Sequence, residues 1–452
     1  MNIINVKGIC VFMCFILLVL IAVVTRLNML PILFGVLILS IFLILALVNN
    51  KFLLASTIYV FIIDAGNGLF VYNDHHLPIR ELLFLILLIK LAYNICIKGF
   101  KDRDKKAVMV ISILVPLYGI VVAFLRNNNL SYVFDDGKSY FFFIIGLCIY
   151  SLIYYSPNLK QSVIKHFMMA SLLAAIVSIM IFVVSCFIPA VLYNMGAWLG
   201  QHNLGFAGIE VNGLPRVFLR AEIYVMTSFF FALGNLIATG KKSFYNSLTL
   251  KAIYLFSLVI SNTRGIWIAT ILGILIFWAS SNFTFKKILV TFIIIILIFL
   301  APNMFPNVST KIMSRLTSSI DFTDNQSNAI RDDQSFYLME EFKNHPVLGK
   351  GFGATLSSGF TRSKETPYSF EMSYLELLYK LGIIGFGIFI IGLVWIANTI
   401  FKSDPEHRKI LLISFVCFLI VSITNPYIVS SLGMFLISVL YAVAKDPKVI
   451  TL

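Results

Sequence analysis

The chain is 452 residues long, 59% hydrophobic and only 12% charged, with a mean hydropathy of +0.93. Soluble domains carry about 25% charged residues, so composition excludes a soluble globular protein, and long apolar runs in place of short alternating segments exclude a β-barrel. A net charge of +14 on a soluble protein would suggest nucleic acid; in so apolar a chain no nucleic acid partner is expected, and the cations either anchor topology or meet another anion.

The predicted fold is an all-α polytopic integral membrane protein. Its helices are expected at about 8–25, 29–48, 52–72, 81–98, 107–125, 140–155, 167–193, 217–239, 250–262, 265–281, 288–301, 375–399, 410–424 and 428–444, fourteen crossings in all. Asp64, Gly66 and Gly68 interrupt the third, and 250–262 is short. Residues 1–300 then hold helices one to eleven, 301–374 form one large polar loop, and 375–452 hold the last three helices and a tail. The first apolar run follows only Lys7 and lacks a small-residue cleavage site, so it reads as a retained helix. Cys10, Cys14, Cys96, Cys148, Cys186 and Cys417 all lie in or beside apolar segments, so no disulfide and no cysteine metal site is expected.

Charge orients the bundle. With the N-terminus in the cytoplasm, every inward connection and the C-terminal tail carry lysine, most densely Lys98, Lys101, Lys105 and Lys106. The 301–374 loop then faces outward. Arginines prevail on that face: Arg80, Arg126, Arg216, Arg220, Arg264, Arg315, Arg331 and Arg362, with Lys138. Outward cations oppose the insertion preference. Some snorkel to headgroups; the rest suit a phosphate or carboxylate, which the guanidinium fork grips in bidentate fashion.

Within the loop, 328–344 reads as an amphipathic helix with Ile330, Phe336, Met339 and Phe342 as its apolar stripe, lying on the membrane or capping the bundle. Arg264 stands in a tight outward turn, Ser261 to Gly265, near the N-terminus of an apolar helix. Free amides and the helix dipole favour an anion there, and a topology anchor is the alternative reading. Arg216 and Arg220, four residues apart behind Pro215, are expected on one face of an outward helix start, with an internal ion pair as the alternative. Asp135-Asp136-Gly137-Lys138 reads as a turn whose Lys138 is a further anion contact. Gly349-Lys350-Gly351-Phe352-Gly353 lies outside with no βαβ context, so it reads as a backbone turn. Two outward groups are candidate general bases: Glu371, just before a helix that presents Tyr374 on the same face, and His345. No metal motif occurs, and no cofactor is expected.

These segments, in this order, resemble the O-antigen ligase/polymerase superfamily of bacterial membrane glycosyltransferases. The resemblance rests on Thr263-Arg264-Gly265 opening a helix, on His345-Pro346-Val347-Leu348-Gly349-Lys350-Gly351-Phe352-Gly353, and on Glu371-Met372-Ser373-Tyr374-Leu375 followed by Lys380 to Gly385. It covers about 261–390 and implies transfer of a glycan from an undecaprenyl-diphosphate carrier to a hydroxyl, on the outer side of the bacterial cytoplasmic membrane and without a metal. By the resemblance, Arg264 with Arg216 or Arg220 would hold the diphosphate, and an outward base would activate the acceptor. Ligases of the family usually carry histidine where this chain has Glu371, which favours the polymerase branch. A polymerase binds two lipid-linked glycans, donor and acceptor; Arg80, Lys138, Arg331 and Tyr374 are candidates for the second-glycan or loop contacts, and a chain-length regulator is a candidate partner. The alternatives are a ligase that moves finished glycan to lipid A core or to protein, and a non-enzymatic glycolipid transporter, against which the lack of an internal repeat counts.

Overall fold

The computed structural model describes residues 40–65, 69, 71–72, 75–76, 78–101, 105–209, 215–237, 247–279, 326–360 and 366–445. The helices expected at 8–25 and 288–301, most of 29–48, loop residues 301–325, Arg315, Arg362 and the C-terminal tail lie outside them.

Helix dominates. After a helical stretch at 40–48 come α1 (Asn50–Ile63), a two-residue ribbon of β1 (Val71–Tyr72) and β2 (His75–His76), and α2 (Ile79–Cys96). Then follow α3 (Lys106–Leu125), α4 (Leu130–Tyr155), α5 (Asn158–Phe187) and α6 (Pro189–Gln201). A hairpin of β3 (Gly205–Ile209) and β4 (Pro215–Leu219) leads to α7 (Glu222–Leu233), α8 (Leu248–Ile260) and α9 (Arg264–Ala279). The described chain closes with α10 (Gln326–Asn344), α11 (Ser373–Phe401), α12 (Pro405–Val421) and α13 (Ser431–Ala444).

Among the described residues, α3, α4, α5 and α11 are long and apolar enough to cross a membrane. Some of the other apolar helices are shorter than expected: α7 has 12 residues and α13 has 14. At about 1.5 Å per residue they rise only ~18–21 Å, well short of the ~30 Å hydrocarbon core. Both are buried along nearly their whole length, as helices that are apolar on every side must be. α13 packs on α4, α12 and α11, while α5 packs on α1, α7 and α8.

Three local expectations are corrected. The helix expected over 167–193 stops at Phe187, because Pro189 cannot continue the ladder and opens α6 instead. The helix expected from 217 is a strand at its start. Val217, Phe218 and Leu219 suit a pleated surface, and β4 pairs antiparallel with β3, Phe206 opposite Phe218 and Gly208 opposite Arg216. The segment Asp135 to Lys138 is no turn; it lies inside α4, where Asp136 is buried and Lys138 is exposed.

The glycine-rich segment after α10 is a backbone turn, as expected, and it is also the keystone of this part of the fold. Gly349, Gly351 and Gly353 have φ of 77°, 82° and 69°, a region open to glycine at little cost. α11 is broken at Gly382 (φ 63°, ψ −173°). The turn fills the break: Lys350 N donates to Tyr379 O (3.0 Å), Gly351 N to Lys380 O (2.7 Å), Ile383 N to Pro346 O (2.9 Å) and Ile384 N to Val347 O (3.3 Å). A break in an apolar helix strands amides and carbonyls that lipid cannot satisfy; here the turn supplies their partners. Phe352 is fully buried, stacks on Tyr140 at 5.2 Å between ring centres, and donates its N–H to Gly119 O in α3 at 3.1 Å.

Beneath the turn lies a buried charge triad. Lys380 Nζ sits 2.6 Å from Asp136 Oδ2 and also contacts Glu376 Oε1. Asp136 accepts from Gly353 N at 2.9 Å and Glu376 from Phe370 N at 3.2 Å. Charges taken from water persist only when paired and hydrogen-bonded, and this set ties both ends of the segment 353–370 to α4 and α11.

The apolar stripe expected on α10 is not its buried face. Gln334, Leu338 and Glu341 are buried, whereas Phe336 and Met339 are exposed. The inward face packs on α11 and its loop, where Leu338 joins Ala354, Leu356, Phe370 and Tyr379 in a small core of its own.

Candidate functional site

The site forms where four segments meet: β4, the α8–α9 turn, the first turns of α10, and the approach to α11. The α8–α9 turn is tight because Asn262 takes φ 48°, a conformation asparagine tolerates better than most residues. Arg216 braces this turn from the hairpin. Its Nε donates to Ser261 O (3.0 Å) and its Nη2 to Thr263 Oγ1 (3.3 Å), while its guanidinium lies 5.7 Å and 5.5 Å from the ring centres of Phe206 and Phe218. Gly265 keeps the start of α9 close to α12: a Cβ there would stand 3.1 Å from both Asn425 Nδ2 and Thr424 Oγ1.

On the other side, Arg331 Nε and Glu371 Oε2 form an ion pair at 3.0 Å. Glu371 is placed by its own backbone. Gln334 Oε1 accepts from Glu371 N (2.8 Å) and Met372 N (3.1 Å), and Ser373 Oγ donates to Asn425 O (2.8 Å). The amide of Gln334 is thereby fixed, and its buried Nε2 has no partner among the described residues.

The two sides share one electrostatic field. Burial pushes the Arg216 guanidinium below its ordinary range, Tyr427 and Glu371 oppose that shift, and Arg331 reinforces it. Arg264 lies within reach of both Arg331 and Arg216 as like charges. Arg216, Arg264 and Arg331 thus lie close enough to act on one another as like charges, and Glu371 acts on Arg216 in the opposite sense. Burial also raises the Tyr427 phenol, although Arg220 and Arg216 act on it in the other direction. Such a clustering of guanidinium groups suits an anion bearing several oxygens.

The remaining predicted residues are placed as follows. Arg220 follows β4 and donates from Nη2 to Asn203 Oδ1, on the flank of the cluster next to Tyr427. Arg80 is buried among the helices, donating to Ser431 Oγ at 2.8 Å with Phe61 4.5 Å beneath it. Lys138 is exposed and paired with Asp135 at 2.6 Å. Tyr374 donates its hydroxyl to Leu419 O at 3.0 Å, joining α11 to α12. None of these three is seen to touch the arginine cluster. His345 follows the last residue of α10, whereas Arg331 lies near its start. Fourteen residues of helix at about 1.5 Å each set them roughly 21 Å apart. His345 and Glu371 therefore do not serve one reacting centre.

Gln334, Tyr427 and the Asp136–Lys380–Glu376 triad were not expected. A signal for the triad was present: Glu376 and Lys380 are charged residues four apart in an otherwise apolar helix. Gln334 and Tyr427 carry no such mark. Among the described residues no group of three or more His, Cys, Asp or Glu is arranged to hold a metal ion.

Residues 249–390, which span the α8–α9 turn, α10, the glycine turn and the first half of α11, match the family model described as O-antigen ligase. Over 388 residues it is 25% identical to the O-antigen polymerase of Shigella flexneri, an alignment covering 84% of this chain and 90% of that protein. The superfamily expected from the motifs is thereby borne out.

Proposed function

We propose that this chain is an O-antigen polymerase that joins lipid-diphosphate-linked oligosaccharide repeat units. The observation that carries the reading is the convergence of Arg216, Arg264 and Arg331 with Glu371, in a chain similar to a named O-antigen polymerase over most of its length. The ligase alternative is not favoured over it.

In the reaction, the anomeric C–O bond to the donor's lipid diphosphate breaks and its electron pair leaves with the diphosphate. A hydroxyl oxygen of the acceptor sugar bonds to the anomeric carbon, with inversion. Charge accumulates on the departing diphosphate, and guanidinium groups fixed in advance stabilise it without reorganising. Glu371 takes the acceptor proton. Its present partner is Arg331. A diphosphate entering the cluster competes for Arg331 and releases the Glu371 carboxylate, so the base becomes available as the leaving group is gripped. No metal enters this scheme. The site faces the outer side of the cytoplasmic membrane, the described C-terminal end of α13 faces the cytoplasm, and a chain-length regulator is a candidate partner.

The test uses purified protein in nanodiscs supplied only with lipid-linked repeats. A ladder of longer lipid-linked glycans is expected from the wild type, and product appearing only after addition of lipid A core overturns the reading in favour of a ligase. Arg264→Ala should abolish the ladder, and Arg264→Lys should be nearly as poor because the fork is lost. Wild-type chain lengths from Arg264→Ala would remove the diphosphate role.

A further inference from the structure

A polymerase has two lipid diphosphates to hold, not one. The attacking hydroxyl belongs to one end of the acceptor oligosaccharide. The acceptor's own lipid diphosphate stays at the other end, a full repeat unit from the reacting centre and fixed at the membrane boundary. The second anion site must therefore be distant from the arginine cluster, cationic, and beside an apolar surface open to lipid.

One cavity meets all three conditions. It measures about 370 Å³ and is lined by Arg126, Asn127, Asn128, Tyr132, His345 and Lys350, among others. It lies at the His345 end of α10, roughly 21 Å along the helix from Arg331. Lys350 is engaged by Glu341 at 2.8 Å. Arg126 is exposed and has no ion-pair partner among the described residues. Burial lowers the affinity of the His345 ring for a proton, and Arg126 and Lys350 lower it further, so the ring reports an electropositive hollow. A ring N–H of His345 can donate to a phosphate oxygen. Arg126 caps the C-terminal end of the membrane-crossing α3. Below it Leu117, Val121 and Phe124 form an exposed apolar stripe at helical spacing, and Val347 and Leu348 are exposed nearby on the glycine turn. Tyr132 packs against Tyr368 at 5.2 Å, which places an aromatic wall where a first sugar would leave the phosphate.

We infer that this cavity holds the diphosphate of the acceptor, a polyprenyl-diphosphate-linked saccharide, with Arg126 as its principal cation and the lipid along the stripe of α3. The inference rests on the polymerase reading above and adds the place of the second substrate.

A partition experiment tests it. A fluorescent lipid-linked repeat is incubated, in phosphatidylcholine nanodiscs free of anionic headgroups, with the same repeat as a lipid-free oligosaccharide. The donor can be transferred to either acceptor, and the ratio of lipid-linked dimer to soluble dimer reads the preference directly. Wild type should favour the lipid-linked acceptor strongly. Arg126→Ala should shift the ratio about tenfold toward soluble dimer, the scale of one charge-assisted contact. Asn127→Gly should shift it in the same direction; Asn127 has φ 56°, so glycine removes the side chain while keeping the backbone. An unchanged ratio in both variants, whatever happens to total turnover, overturns the inference, as does a wild type without preference. Wild type that forms neither dimer removes the polymerase reading itself, and the two failures are thus told apart.

Discussion

Lys380→Met puts the link between the buried triad and the site to the test. Lys380 and Glu376 have side chains 2% exposed and Asp136 7%, so one ammonium lies between two carboxylates in a dry setting. Methionine keeps most of the side chain's volume but removes the charge. Breaking a buried pair from one side costs about 3–5 kcal/mol, because the remaining charge is uncompensated. Here two carboxylates are left facing each other, and the upper part of that range applies. At about 2 °C per kcal/mol for a large chain, the midpoint of thermal unfolding in detergent should fall by roughly 8–10 °C. Polymerisation should fall as well, since Asp136 and Glu376 hold Gly353 N and Phe370 N, and Glu371 follows Phe370 directly. The triple variant Asp136→Asn, Lys380→Met, Glu376→Gln should recover most of the lost stability, as neutral replacements of buried ion sets do. A Tm within 1–2 °C of wild type for Lys380→Met alone, on that same scale, would refute the triad as a structural clamp. Recovery of stability without any recovery of polymer would refute its role in placing Glu371.

Two further outcomes follow from the same region. Gly382→Ala should not yield stable protein at 37 °C: the backbone there is in a region essentially restricted to glycine, at about 1–3 kcal/mol for other residues, and the new Cβ would stand 2.4 Å from Val347 O; the yield of monodisperse protein by size-exclusion chromatography checks it. Burial raises Glu341, but Lys350 and Ser357 outweigh it and hold the carboxyl below its ordinary 4.5. Its folded value is thus the lower one, so its contribution is complete above pH 4.5 and is lost as pH falls through the folded value. The protection of Ser357 N–H, which donates to Glu341 Oε1 at 3.1 Å, measured relative to the intrinsic exchange rate at each pH, should fall only on that acid side, and Glu341→Gln should remove that fall.

Several parts of this arrangement could be read from the sequence because each is set by local chemistry. The apolar runs gave helices, the glycine-rich segment at 349–353 gave a backbone turn, and Arg264 stands at the start of α9 as expected. The hairpin of β3 and β4 was missed because Val217 to Leu219 are apolar and continuous with α7; only their pairing with Gly205 to Ile209 separates strand from helix. Asp136 looked like a turn residue because its partner, Lys380, is 244 positions away in sequence. The separation of His345 from Glu371 was hidden for a related reason: both flank the same loop in the sequence, and α10 holds them apart as a rigid rod.

The break in α11 has a consequence for how such chains can be recombined. The turn at 346–351 contributes the backbone partners that a continuous helix would find in itself, and each of Gly349 and Gly382 would obstruct the other if it bore a side chain. The glycine turn and α11 are therefore one folding unit cut in two by the primary sequence. A loop transplanted from a relative without its own α11 arrives with no acceptor for its amides, whereas a transplant of both halves keeps the seam closed.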